Sequence, residues 1–100
     1  MSRVEDWVCY KENFRFSLEP QLDHHFIHQD VWKYNAETKA QTLALIEMCE
    51  RQGLDLRVFI EDGNRKLKKY AALYGFKPSY YDTAPATGKR VLILERDTDG

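Results

Sequence analysis

The sequence predicts an α+β domain with element order β-β-β-α-β-α-β-β, two helices on a central mixed sheet. Three observations predict it. The first third is rich in aromatic and β-branched residues with short polar interruptions, which is meander patterning. From Asn35 a stretch without Gly or Pro runs to Gly53. Beyond Gly53, strand alternation and one further helical stripe follow each other with Gly or Pro at each junction.

Val4 to Tyr10 reads as the first strand, and the polar Lys11-Glu12-Asn13 as a short hairpin connection into Phe14 to Leu18. Phe14, Phe16 and Leu18 then share one face, and Pro20 ends the strand. A third strand is expected from about His24 to Trp32, with Phe26, His28 and Trp32 on one face and Ile27 and Val31 on the other, buried on both sides. Asn35-Ala-Glu-Thr is an N-cap signature, and Thr38, Thr42, Leu45 and Cys49 line one face of the helix it opens. Leu56 to Ile60 alternates as a strand, and Asn64 after the Asp62-Gly63 turn caps a second helix from Arg65 to Tyr74. Its apolar stripe is Leu67, Tyr70, Ala71 and Tyr74, and Gly75 stops it. Phe76 to Asp82 and Arg90 to Arg96 complete the set as strands joined by the Pro85 loop.

A chain of 100 residues and this composition is expected to form one domain, residues 1–100. Lys and Arg number 15 against 16 Asp and Glu, so no global field favours nucleic acid or anionic lipid. No apolar run reaches the ~18 residues of a membrane span, and MSRVEDWVCYKENF lacks a signal-peptide pattern, so a cytoplasmic protein with no membrane partner is expected. Cys9 and Cys49 stand too far apart for a CxxC pair and are expected as reduced thiols. His24, His25 and His28 suggest a metal cluster, but a strand rising ~3.3 Å per residue sets His24 and His28 ~13 Å apart, so no metal is expected. Arg65, Lys66, Lys68, Lys69 and Lys77 concentrate positive charge beside Tyr70, Tyr74, Tyr80 and Tyr81. Such a mixture suits single-stranded nucleic acid, a reading the chain's balanced charge disfavours.

From Asn35 to Pro78 the sequence resembles the C-terminal half of the GCN5-related N-acetyltransferase (GNAT) fold. The stretch NRKLKKYAALYGFKP carries the resemblance: Asn64 opens the second helix and Gly75-Phe76 closes it at the family's spacing, followed by Lys77-Pro78. Lys33 stands where the family places the Arg or Gln that begins its pyrophosphate loop. The resemblance implies an acyl-coenzyme A cleft, with Lys33, Asn35 and Asn64 as the residues to hold acetyl-coenzyme A if it binds.

This chain departs from the family pattern in its chemistry. The loop reads Lys33-Tyr34-Asn35-Ala36-Glu37-Thr38, with neither glycine, a carboxylate at Glu37, and side chains at Ala36 and Thr38 expected to obstruct a phosphate. The family's general-acid Tyr corresponds to Ala71, leaving Tyr70 and Tyr74 as the candidate acids. The expectation is therefore a shortened GNAT-like domain, similar to small proteins of tailed bacteriophages, that has lost acetyl-coenzyme A catalysis. It would need no cofactor and would bind a macromolecular protein partner through Arg65, Lys68 and Lys69. The alternatives are an active acetyl-coenzyme A-dependent N-acetyltransferase with a non-standard loop, and a structural assembly subunit.

Overall fold

The computed structural model describes residues 8–96, which divide into two compact units between Leu56 and Arg57. The expected α+β element order is observed. The part of the first strand expected at Val4 to Trp7 lies outside the described residues.

In the first unit β1 (Val8–Tyr10), β2 (Phe14–Pro20) and β3 (His25–Val31) form an antiparallel meander. Phe14, Phe16 and Leu18 alternate on one face of β2 and are buried, each worth about 1.5–3 kcal/mol of apolar burial. Gln29 lies opposite Phe16 in the register and donates from Nε2 to Thr42 Oγ1 at 2.8 Å, so α1 (Ala36–Arg51) covers that face. Thr38, Thr42, Leu45, Ile46 and Cys49 are the buried side of α1, the expected stripe plus Ile46. The helix ends in a Schellman turn: Gly53 N donates to Glu50 O, Leu54 N donates to Cys49 O, and Gly53 takes φ +86°.

The structure corrects β3. None of its residues is buried, and Asp30 and Val31 are exposed. The reason is the opposite face of the sheet, where Arg15 pairs with Asp30 at 3.0 Å and His28 with Glu19 at 2.7 Å, so that face is a solvated polar surface.

β4 (Leu56–Glu61) starts at the boundary, and from Arg57 on it pairs within the second unit with β6 (Arg90–Arg96) and β5 (Phe76–Thr83), antiparallel in the order β4-β6-β5. A bulge at Ser79 shifts the register of β5 between Pro78 and Tyr80. Ile60, Ala71, Tyr74, Phe76, Val91, Ile93 and Leu94 are buried. α2 (Arg65–Ala72) is shorter than expected by its last turn, which tightens into i→i−3 bonds from Leu73, Tyr74 and Gly75. Gly75 stops it with φ +87°, as the sequence indicates. Leu67 is a second correction: at 49% exposure it stands outside the core, because the buried stripe of so short a helix narrows to Ala71 and Tyr74.

Candidate functional site

The start of α1 is where an anion would be held, since the first amides of a helix have no intrahelical acceptor. Here a side chain takes that role for one of them, the Thr38 amide. Asn35 is the N-cap, and its Oδ1 accepts from Thr38 N at 2.9 Å while Thr38 Oγ1 accepts from Asn35 N at 3.3 Å, a complete capping box. The Thr38 hydroxyl donates to the Lys33 carbonyl at 2.8 Å, tying the loop before the helix to its first turn.

Asn13, from the β1–β2 connection, closes the arrangement from the other side. Its Nδ2 donates to Thr38 Oγ1 at 3.1 Å, and its carbonyl accepts from Trp32 N and Lys33 N at 3.1 and 3.2 Å. Asn13 is 4% exposed and Thr38 0%. Asn13 was expected only as a hairpin residue, and nothing in its local sequence signals a partner 25 positions away.

The expected obstruction by Thr38 is therefore corrected. Its side chain is buried beneath the helix start, and the group on its amide is the Asn35 carboxamide. Ala36 and Glu37 are exposed on the first turn, where Glu37 Oε1 accepts from Gln41 Nε2 at 3.3 Å. A carboxylate there suits the helix dipole and repels a second anion. Lys33 is exposed, but one cation beside a carboxylate and an occupied amide does not make a pyrophosphate cradle. The residues present do not fit the pyrophosphate of acetyl-coenzyme A.

In the second unit Asn64 caps α2, its Oδ1 accepting from Leu67 N at 3.2 Å. Tyr70 and Tyr74 lie one turn apart and are brought together: the rings meet edge to face at 5.1 Å between centroids, and the Tyr74 hydroxyl donates to the Tyr70 hydroxyl at 2.9 Å. Tyr74 is 4% exposed and Tyr70 half-buried, so the pair both packs and carries polar atoms. Arg96 Nε donates to the Tyr74 carbonyl at 2.8 Å, fixing the end of the helix where Gly75 turns the chain. Arg65, Lys66, Lys68 and Lys69 are all exposed.

Elsewhere, Arg90 stacks 3.7 Å from the Tyr81 ring centroid, and Arg57 donates to the Tyr80 hydroxyl at 2.8 Å. The three histidines do not converge. His24 pairs with Asp23 and His28 with Glu19, and among the described residues no group of His, Cys, Asp and Glu is arranged to hold a metal. Both cysteines are free thiols; burial, then the neighbouring Glu50 carboxylate, pushes the Cys49 thiol above its ordinary range. No helix among the described residues is long and apolar enough to cross a membrane.

Neither a family model nor a curated protein matches the sequence. Solved structures match the fold. A protein assigned to the GNAT acetyltransferase family from Bordetella pertussis superposes with a TM-score of 0.67 at 16% identity, over 85% of this chain and 57% of that one. The ribosomal-protein-S5-alanine acetyltransferase from Vibrio fischeri gives 0.66 at 12% identity, over 87% and 55%. The ribosomal-protein-S18-alanine N-acetyltransferase from Escherichia coli gives 0.61 at 14% identity, over 84% and 60%. The matched portion thus spans 55–60% of those chains. At these identities the likeness speaks for architecture and not for chemistry. Taken with the β-β-β-α-β-α-β-β order and the Asn64 to Gly75-Phe76 helix, it makes the fold of this chain that of the GNAT acetyltransferases.

Proposed function

We propose that this GNAT-fold chain is a cytoplasmic binding domain that has lost acetyl-coenzyme A catalysis and works by engaging a macromolecular protein partner. The observation that carries the reading is the occupied start of α1: Asn35 Oδ1 sits on Thr38 N at 2.9 Å, with the buried Asn13 holding Thr38 behind it. An anion could take that amide only by displacing the carboxamide, at a cost of about 1 kcal/mol for the lost cap, and would then meet Glu37. Calorimetric titration with acetyl-coenzyme A tests this directly. No binding is expected in the micromolar range; low-micromolar affinity, or acetyl transfer to any amine, refutes it.

One observation favours a second reading, the acetyl-coenzyme A-dependent N-acetyltransferase. With Ala71 where the family's acid stands, the Tyr74 to Tyr70 hydrogen bond supplies a phenol pair one turn apart that offers a substitute acid. If turnover is found, Tyr70→Phe is the first variant to measure, and loss of kcat with KM unchanged would identify Tyr70 as the acid.

A further inference from the structure

Charge is divided unevenly along the chain. From Arg57 onward lie nine of the 15 Lys and Arg residues but only six of the 16 Asp and Glu. α2 is the extreme case: Arg65, Lys66, Lys68 and Lys69 fall within eight residues that contain no acid. Two of these cations sit in the first helical turn, against the macrodipole, and like charges stand three and four residues apart. No acidic partner meets any of the four among the described residues. The helix thus keeps a self-repelling array that an anionic surface would relieve.

An apolar side chain sits inside that array. Leu73 keeps right-handed helical geometry and is 47% exposed. Helical spacing puts it four residues from Lys69 and seven from Lys66, while Lys69 is four from Arg65, so these side chains share one face. Lys68 extends the array on the Arg65 side. Single-stranded nucleic acid would want open aromatic faces there. Tyr70 of α2 is instead engaged with Tyr74 just beyond the helix, and Tyr80 and Tyr81 carry Arg57 and Arg90. An aliphatic anchor flanked by lysines has its complement in an aliphatic side chain flanked by carboxylates.

We infer that the face formed by Arg65, Lys66, Lys69 and Leu73 docks an acidic amphipathic segment of a protein partner, with a leucine-like side chain against Leu73 and carboxylates on the three cations. This rests on the partner-binding reading above and names the chemistry of that partner.

The test uses fluorescence anisotropy of the full chain with a short synthetic peptide carrying glutamates and leucines at i, i+4 spacing, compared with its glutamine counterpart, oligodeoxythymidylate and phosphatidylserine vesicles. The acidic peptide should bind, weaken with added salt, and outcompete the other three probes. Lys66→Glu with Lys69→Glu should weaken it about tenfold or more, and Leu73→Ser about threefold to tenfold. All three positions are exposed, so the variants should melt like the parent chain. Tighter binding of the oligonucleotide or the vesicles, equal binding of the glutamine peptide, or indifference to Leu73→Ser overturns the assignment. So does self-association abolished by Lys69→Glu, which would give the face to a second copy. Acetyl-coenzyme A binding on the same preparation overturns the binding-domain reading independently of the peptide result.

Discussion

Replacing Thr38 by Val tests whether the start of α1 is a lock or an ordinary cap. Valine keeps the shape of a side chain that is 0% exposed, so no cavity contribution enters, and only the hydroxyl is lost. That hydroxyl donates to Lys33 O at 2.8 Å and accepts from Asn13 Nδ2 at 3.1 Å and Asn35 N at 3.3 Å. Its removal leaves the buried Asn13 amide only the long 3.4 Å bond to Asn35 Oδ1, and a buried group so poorly satisfied costs about 1–3 kcal/mol. Losing the return half of the capping box adds about 0.5–1 kcal/mol. A loss of about 1.5–4 kcal/mol follows, which at roughly 4–8 °C per kcal/mol for a chain of this length lowers Tm by about 6–32 °C. Thr42→Val is the internal control. Thr42 is on the same helix and 2% exposed, but its one side-chain partner is the half-buried Gln29, so about 1 kcal/mol is expected. Thermal melts followed by circular dichroism compare the two. Equal losses, or a stabilised Thr38→Val, would refute the reasoning.

Relieving the obstruction to anions needs Asn35→Gly with Glu37→Gln, because Thr38→Gly would hollow the core; removal of the Glu37 charge alone is worth about fivefold per close phosphate. The double variant should bind acetyl-coenzyme A measurably by calorimetry where the parent does not, without turnover. Gly75→Val should cost about 1–2 kcal/mol or more in a melt, chiefly from backbone strain at φ +87°, since an added Cβ meets Arg96 Nε and Cγ at an ordinary 3.6 and 3.7 Å. For Cys49 the raised pKa means the folded state keeps the proton that the unfolded thiol gives up. Stability is therefore fully present below a free thiol's pKa and falls as pH rises above it, and native alkylation by iodoacetamide near neutral pH should be far slower at Cys49 than at half-buried Cys9.

What could be read from the sequence was what neighbours in the chain decide. The Asn35 and Asn64 caps, the stops at Gly53 and Gly75, and the Phe14, Phe16, Leu18 face each depend on a few adjacent residues, and the structure shows all of them. Misreadings fell where the answer depends on residues far along the chain. β3 looked buried from its own composition, yet Arg15 and Glu19 on β2 make its outer face polar. Leu67 matched a helical stripe, but α2 buries too narrow an arc to include it. Tyr70 and Tyr74 stand out in the sequence as separate candidate acids and the structure pairs them, whereas the partner of Asn13 leaves no local signal.

Asn13 adds a departure from a glycine-bearing phosphate loop beyond the side chains of Lys33 to Thr38. A helix start has few unpaired amides, and they can serve a bound anion or the protein's own side chains, but not both at once. A lone N-cap would be weak competition, since an exposed cap contributes only about 1 kcal/mol and can swing aside. Here the cap is one corner of a polar network that includes a buried amide and a buried hydroxyl, so opening it exposes unsatisfied groups and not merely an amide. The contributing residues come from a hairpin turn, a loop and a helix, so a change at one position weakens the partners at the others. The same hydrogen bonds tie the loop after β3 to the first turn of α1. On the binding-domain reading proposed above, the docking surface is the face of Arg65, Lys66, Lys69 and Leu73, whose cations meet no acidic partner among the described residues.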